Sequence, residues 1–187
     1  MRKVIKLNND TQLIKQSLKN NREAQKFLYH KYAPKMLRLC TYYIKDLQES
    51  EEVMLNGFLK VFTKLSKYSS KGSFEGWIRK IMIHESISYL RKKKKIIFTN
   101  QIENYGEFIE NEVELHIAVE DLHQYVNQLP NGCKIVFNLY VIDGYKHAEI
   151  AEILKISEGT SKTQLSRARK ALQKMISLNQ KKNHGTK

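Results

Sequence analysis

Residues 145–172 have the sequence YKHAEIAEILKISEGTSKTQLSRARKAL. Apolar residues recur at helical spacing on both sides of a short break, and the first segment, about residues 147–154, brings Ile150, Ala151 and Leu154 to one face. Ser157 is of a residue type that commonly caps the N-terminus of a helix. Two helices joined by so short a connection predict a helix-turn-helix.

The second predicted helix separates its residues by chemistry. At about 100° per residue, one side carries cations and hydroxyls, which we call the polar arc: Lys162, Thr163, Ser166, Arg167 and Lys170. The opposite side carries Ser161, Leu165, Ala168, Leu172 and Met175. The apolar side can pack on a domain while the polar arc presents groups that bond to phosphates and base edges in a major groove. The pattern favours DNA binding over a helical hairpin with a solvated basic face.

The composition also favours a polyanionic partner. The chain has 33 Lys and Arg against 19 Asp and Glu, a formal net charge of +14 at pH 7. A basic protein of membrane surfaces would share this charge, but the sequence has no lipidation motif, signal peptide or apolar run of membrane-spanning length. We therefore expect a cytoplasmic protein without membrane insertion.

Cysteine and histidine usage argues against a metal site. The two cysteines, Cys40 and Cys133, lie among apolar residues without a CxxC partner, which favours buried free thiols. The six histidines do not fall at ligand spacing with cysteine or with each other. We expect neither a metal nor another cofactor.

The distribution of charge predicts the domain organisation. Residues 96–133 contain no Lys or Arg, although a basic run, residues 91–95, directly precedes them. The acidic residues of this stretch are Glu103, Glu107, Glu110, Glu112, Glu114, Glu120 and Asp121. Such a switch in composition is typical of a linker between two units. We predict a domain at residues 1–95, a flexible acidic linker at 96–115, a second domain at 116–178 and a polar tail at 179–187.

Both domains are predicted to be helical, which makes the fold class all-α. The chain has only two prolines, Pro34 and Pro130, and little strand-like alternation. Asp10 is a predicted N-cap, Asn20-Asn21 a predicted turn and Gly144 a turn before the helix-turn-helix. The fourth helix, about residues 74–91, places Glu85 on its apolar side, and the sequence alone indicates no partner for that carboxylate.

Two sets of segments resemble the extracytoplasmic-function (ECF) sigma factors, small two-domain initiation subunits of bacterial RNA polymerase. The first set is EEVMLNGFLKVF (residues 51–62), GSFEGWIRKIM (72–82) and YLRK (89–92). The second is Leu129-Pro130, VFNLY (136–140), EIA (149–151), ISEGT (156–160) and RAR (167–169). The resemblance covers nearly all of the chain outside the linker and tail. It implies a protein without catalysis of its own that binds core polymerase, directs it to promoters by their −35 and −10 elements, and helps to open the DNA.

The resemblance implies three sets of site residues. The set for a coiled coil of the largest polymerase subunit is Glu51, Glu52, Leu55, Asn56 and Leu59. The set for the −10 element, with a base-capturing loop at about residues 66–74, is Lys71, Ser73, Phe74, His84, Ser88, Arg91 and Lys92. The set for the −35 element is Lys162, Thr163, Ser166, Arg167, Arg169 and Lys170. An anti-sigma factor is a further implied partner.

The chain departs from the family pattern at several of these positions. The family usually has Gln and then an acidic residue at Leu55 and Asn56, and Asp at Glu52, so the expected polymerase contact has less charge here. It commonly has Asn at His84 and Asp at Ser88, which changes the −10 contact. Lys155 stands where the family's turn usually has Gly, and a left-handed conformation there costs on the order of 1 kcal/mol.

Residue chemistry leaves several alternatives open. The 51–62 helix could be an ordinary amphipathic core helix, and Phe74 and Trp77 could be core residues rather than base-stacking ones. A stand-alone helix-turn-helix regulator would bind intact duplex operators without polymerase. A DNA-processing enzyme such as a recombinase is less favoured, because Glu49, Glu51 and Glu52 share one helix without a histidine or second carboxylate motif at metal spacing.

Overall fold

The computed structural model of the chain describes residues 10–93, residue 96 and residues 119–184. The acidic linker predicted at residues 96–115 lies outside the described residues, apart from Ile96. So do Lys94 and Lys95 of the basic run, residues 116–118 of the predicted second domain, and residues 185–187 of the predicted tail.

All regular structure in the described ranges is helical, which confirms the all-α fold class. The chain divides into two compact units, Met1–Leu90 (unit 1) and Arg91–Lys187 (unit 2). Unit 1 contains α1 (Asp10–Ser17), α2 (Arg22–Tyr43), α3 (Leu47–Thr63), a 3-10 turn (Leu65–Lys67) and α4 (Phe74–Lys92), whose last residues pass the boundary. Unit 2 contains α5 (Val119–Gln128), α6 (Asn131–Phe137), a π-helical turn (Asn138–Ile142), α7 (His147–Leu154) and α8 (Glu158–His184).

Short polar residues begin the helices of unit 1. The side chain of Asn21 accepts from the Ala24 amide at 3.1 Å to start α2, and that of Asp46 accepts from the Glu49 amide at 2.8 Å to start α3. Each side chain satisfies an amide that has no partner within its helix. Asn20, at φ +59°, makes the turn predicted before α2.

The core of unit 1 lies among α2, α3 and α4. Leu28 and Met36 of α2, Phe58 of α3, and Ile78 and Met82 of α4 are each at most 3% exposed. Gly57 brings α3 close to α4, because a β-carbon at this position would lie 2.3 Å from the Met82 sulfur. One side of α3 is therefore committed to the core.

The structure also explains Glu85, the acidic residue on the apolar side of α4. Lys60 of α3 reaches it with a Nζ–Oε1 distance of 2.6 Å, and the Glu85 side chain is only 16% exposed. The carboxylate therefore bridges two packed helices, a partner that the spacing of residues along α4 does not indicate.

We predict that Gly57→Ala destabilises unit 1. The added methyl group overlaps Met82, which is fully buried, and overpacking of this kind costs about 1–3 kcal/mol against the roughly 1 kcal/mol that alanine gains in helix propensity. Thermal and urea unfolding measure the net loss. Gly159→Ala is the control, since its β-carbon meets only the Ser157 hydroxyl at 3.7 Å, and it should not lower stability. Equal or higher stability of Gly57→Ala would contradict the close packing of α3 on α4.

Unit 2 contains the predicted helix-turn-helix. The helix α7 has the predicted bounds, and its residues Ile150 and Leu154 are at most 3% exposed. Lys155 ends α7 in the left-handed conformation, at φ +56° and ψ +50°, and the Ile156 amide donates to the Ala151 carbonyl at 3.0 Å to close the turn. Gly144, at φ +73°, makes the preceding turn, as predicted.

Lys155→Gly should stabilise unit 2 by about 0.5–1 kcal/mol, because glycine adopts the left-handed conformation without a β-carbon clash. The matched control, Lys170→Gly, places glycine inside α8 and should lose about 1 kcal/mol. Urea unfolding of the two variants measures both effects. A destabilised Lys155→Gly would contradict a strained turn.

The helix α8 extends beyond the predicted end of the second domain. It continues to His184, so residues 179–184 of the predicted polar tail are helical. Its sequence has no glycine or proline between Gly159 and Gly185 to end the helix. The Asn179 side chain donates to the Tyr125 hydroxyl at 2.6 Å, which connects this part of α8 to α5.

Candidate nucleic-acid interface

The start of α8 is fixed by Ser157. Its hydroxyl oxygen accepts from the Thr160 amide at 3.0 Å and lies 2.9 Å from the Thr160 hydroxyl. The prediction of Ser157 as the N-cap is confirmed, and the cap determines which residues of the first turns face outward.

The structure confirms that α8 separates polar from apolar residues. In the polar arc, Arg167 is half-buried and the other members are exposed. Four members of the opposite side, Ser161, Leu165, Ala168 and Leu172, are at most 5% exposed. The polar arc is therefore one continuous surface on a helix whose other side is held by the core of unit 2.

Hydrogen bonding within α8 defines what Thr163 can offer a ligand. Its hydroxyl donates to the Gly159 carbonyl at 2.9 Å, so toward a ligand it presents acceptor lone pairs and a methyl group. Lys162, Arg167 and Lys170 supply donors only. The arc thus combines donors for phosphates or guanine with an acceptor and a methyl for other base edges.

Arg169, predicted to flank the polar arc, lies against Tyr140 of the π-helical turn. Its guanidinium carbon is 6.0 Å from the centre of the Tyr140 ring, within the range of cation–π attraction. The contact holds the guanidinium beside the arc, where it suits a phosphate better than a base.

His147 is a functional candidate that the sequence patterns did not single out. Its Nδ1 lies 2.9 Å from the Ser161 hydroxyl of α8, and its ring stacks on Tyr140 with centroids 4.6 Å apart and planes at 24°. Burial lowers the pKa of His147, the cations of Lys162 and Arg169 lower it further, and Glu158 opposes them. Spacing along the helix places His147 at the start of α7 but does not show that it meets α8.

Both thiols are buried, as predicted. Burial raises the pKa of Cys40 to about 11 and also raises that of Cys133, whose sulfur lies 3.0 Å from the Gln164 side-chain oxygen. Neither thiol is a reactive thiolate at neutral pH. Among the described residues, no three His, Cys, Asp or Glu side chains cluster as metal ligands would.

The predicted base-capturing loop of unit 1 is a turn with two left-handed residues, Ser70 at φ +57° and Gly72 at φ +103°. The Tyr68 hydroxyl donates to the Gly72 carbonyl at 2.8 Å and so closes the loop. Lys71 and Ser73 are exposed, and the Ser73 hydroxyl accepts from the Gly76 amide at 3.0 Å to cap α4. Both predicted polar residues therefore lie at the surface of the loop.

Phe74 requires a correction, because its ring is only 4% exposed and belongs to the core. It packs against Tyr32, Tyr68 and Trp77 with centroid separations of 5.7, 5.1 and 5.8 Å. The burial of Phe74 therefore supports the alternative of a core residue over the prediction that Phe74 contacts DNA. Tyr68 and Trp77 are half-buried with rings 5.5 Å apart, so they are the aromatic groups that can meet a base.

The remaining predicted −10 residues lie on α4. His84, Arg91 and Lys92 are exposed and Ser88 is half-buried. Arg91 and Lys92 are in the last turn of α4 and begin the basic run. All four residues lie in the C-terminal half of α4, and the loop precedes the N-terminus of the same helix.

The helix α3 carries a surface that the core does not use. We call five of its exposed residues the outer face of α3: Glu51, Glu52, Leu55, Asn56 and Leu59. Leu55 is 54% exposed and Leu59 is 64% exposed, whereas Phe58 is 3% exposed. The core alternative therefore applies to Phe58 and not to Leu55 and Leu59, which remain accessible to a partner.

Known families match both units. The profile of Sigma-70 region 2 matches residues 28–96, and that of Sigma-70, region 4 matches residues 120–172. The ECF RNA polymerase sigma factor SigW of Bacillus subtilis is 27% identical over 176 residues, which cover 87% of this chain and 94% of that protein. The chain belongs to the ECF subfamily of sigma factors.

Other sigma factors agree with this assignment. The RNA polymerase sigma factor SigV of Bacillus subtilis is 29% identical over 72% of this chain and 80% of that protein. Two solved structures share the fold. CnrH, in complex with the cytosolic domain of CnrY, has a TM-score of 0.50 at 16% identity and covers 90% of this chain and 97% of that one. RpoE of Bartonella quintana, in complex with the anti-sigma factor NepR, has a TM-score of 0.52 at 22% identity and covers 81% of this chain and 96% of that one.

In this sigma factor the region 2 match begins within α2 and includes α3 and α4. The region 4 match includes α7 and the first part of α8. The resemblance inferred from sequence motifs is thereby confirmed. In the described ranges, no helix combines the length and apolar character that crossing a bilayer requires.

Proposed function

We propose that this sigma factor binds core RNA polymerase through the outer face of α3, reads the −35 element with the polar arc of α8, and captures the −10 element with the 66–73 loop and α4. Promoter recognition by a sigma factor is the function that the family assignment carries. The observation that supports this assignment is that each unit exposes side chains that its core does not use. They lie on the outer face of α3 and in the 66–73 loop in unit 1, and on the polar arc of α8 in unit 2.

The −35 reading follows from the geometry of a helix-turn-helix. The second helix enters the major groove, while the first helix crosses the DNA backbone. Arg167, the half-buried member of the polar arc, can donate two hydrogen bonds to guanine, the most common specific contact in the major groove. Lys162 and Lys170, at the two ends of the arc, then suit the flanking phosphates.

The −10 reading requires a single strand held by cations and aromatic rings. A base that leaves the helical stack can lie against an aromatic side chain at the protein surface. Tyr68 and Trp77 supply such rings at the loop, and Lys71, Arg91 and Lys92 supply charge for the backbone. Phe74 supports the two outer rings from below without touching the strand.

The outer face of α3 suits a partner with an apolar strip and nearby cations. Leu55 and Leu59 provide the apolar contact, and Glu51 and Glu52 provide negative charge beside it. We propose a coiled coil of core polymerase as that partner. An anti-sigma factor that covered this face or the polar arc would block transcription. The RpoE neighbour was solved in complex with an anti-sigma factor, NepR.

The deciding experiment is transcription in vitro with core polymerase, this protein and a library of promoter fragments. Start sites that depend on the added protein are expected, together with a stable complex between the protein and core in gel filtration. A stand-alone regulator would instead bind duplex DNA without associating with core, and that result would contradict the proposal.

A further inference from the structure

His147 links the two helices of the helix-turn-helix at the edge of the polar arc. It is the first residue of α7, and its Nδ1 lies 2.9 Å from the hydroxyl of Ser161, which is fully buried. The next residue of α8, Lys162, is exposed and belongs to the polar arc. Stacking on Tyr140 and one hydrogen bond therefore hold the imidazole close to Lys162, the first cation of the polar arc.

The charges around the ring oppose its protonation in the free protein. From α8 it faces Lys162, Arg169 and Glu158; from the π-helical turn it faces the neutral ring of Tyr140. At the start of its own helix, Glu149 accepts from the Lys146 amide at 2.8 Å. The N-terminus of α7 carries partial positive charge as well. Burial and the cations of Lys162 and Arg169 outweigh the opposing charge of Glu158, and so the pKa of His147 lies below its ordinary value.

Bound duplex DNA would favour protonation of His147 instead of opposing it. In a helix-turn-helix complex the first helix crosses the phosphate backbone, so a phosphate near the start of α7 also lies near His147. That phosphate neutralises the field of Lys162 and Arg169 and adds an attraction for an imidazolium cation. We propose that His147 takes up a proton from solution when unit 2 binds duplex DNA, and that the resulting cation contacts a backbone phosphate beside the polar arc.

The hydrogen bond to Ser161 tolerates this change. A hydroxyl can donate or accept, so Nδ1–H of the imidazolium donates to Ser161 while the other ring nitrogen, Nε2, carries the second proton. The contact that positions the ring is therefore kept in both charge states. Since binding takes up a proton, affinity should rise as the pH falls through the range in which only the DNA-bound form is protonated.

The inference rests on the proposed −35 binding by unit 2, and the test separates the two. The probe is a labelled duplex of about 30 base pairs, roughly three helical turns, which the protein selects from a random library. Its dissociation constant is measured at constant salt from about pH 8 to about pH 5.5. We expect affinity to rise about three- to tenfold for the natural protein. His147→Gln should remove most of this rise, whereas His123→Gln, a histidine of α5, should retain it.

Imidazole NMR of the natural protein provides a measurement that does not depend on a variant. The pKa of His147 should be higher with the duplex bound than without it. An unchanged pKa, an unchanged pH dependence in His147→Gln, or an equal loss of affinity at every pH would overturn proton uptake while leaving −35 binding intact. A library that yields no bound duplex would instead contradict the proposed function, and this inference with it.

Discussion

Arg167→Ala should remove selective recognition of the −35 element. A bidentate contact between arginine and guanine is worth about 1–3 kcal/mol, so we expect affinity for the preferred duplex to fall about tenfold to a hundredfold. Affinity for unrelated duplexes should change little, because phosphate contacts from the rest of the polar arc remain. Competition between the preferred duplex and a scrambled one measures the lost selectivity.

The matched control for Arg167 is Lys170→Ala, a cation at the end of the same arc. Loss of a phosphate contact should weaken binding to all duplexes alike and reduce the salt dependence by about one ion. Core polymerase should bind both variants as it binds the natural protein, since the polar arc belongs to unit 2 and the outer face of α3 to unit 1. If Arg167→Ala lost core binding instead, the assignment of functions to the two units would be wrong.

Local sequence signals predicted much of unit 2. Ser157 caps α8, Gly144 makes a turn, and Lys155 adopts the left-handed conformation at the position where a turn was expected. The cap and the Gly144 turn depend on a few neighbouring residues, so local chemistry is sufficient to find them, whereas the turn at Lys155 was expected from the family pattern. The separation of α8 into polar and apolar sides was equally predictable, because a helix with a fixed turn angle orders its residues by position.

What the sequence did not reveal depends on contacts between distant residues. The sequence does not show that Glu85 pairs with Lys60 of another helix. Nor does it show that the ring of His147 contacts Ser161 of α8. Phe74 was assigned to DNA because its loop resembles a base-binding one, yet Tyr32 and Tyr68 enclose it. Periodicity shows that a side chain lies on one side of a helix but not which neighbour covers it.

The difference between the position of a side chain on a helix and the neighbour that covers it also decides the role of α3. Phe58 and Leu59 are adjacent and both apolar, but the first is 3% exposed and the second 64%. Composition and spacing leave both as core candidates, and only the packing of α2 and α4 on one side of α3 shows that Leu55 and Leu59 remain outside.

The double variant Leu55→Lys, Leu59→Lys should abolish core-dependent transcription. Loss of a central apolar residue weakens the binding free energy of an interface by about 2 kcal/mol or more. Affinity for core polymerase should therefore fall at least about a hundredfold. Stability should hardly change, because the two side chains are 54% and 64% exposed. Gel filtration with core polymerase measures association, and binding of the selected −35 duplex, which should persist, shows that unit 2 is intact.

Leu178→Lys is the matched control, since Leu178 of α8 is 51% exposed but lies in the other unit, and we expect it to bind core normally. Salt then separates the apolar contact from the charged one. Attraction through Glu51 and Glu52 is screened at about 0.5 M salt, whereas contact through Leu55 and Leu59 is not. The natural protein should therefore retain much of its core binding at high salt. If binding vanished with salt yet survived the double variant, the glutamates and not the leucines would carry the docking, despite the charge that this face has lost relative to the family pattern.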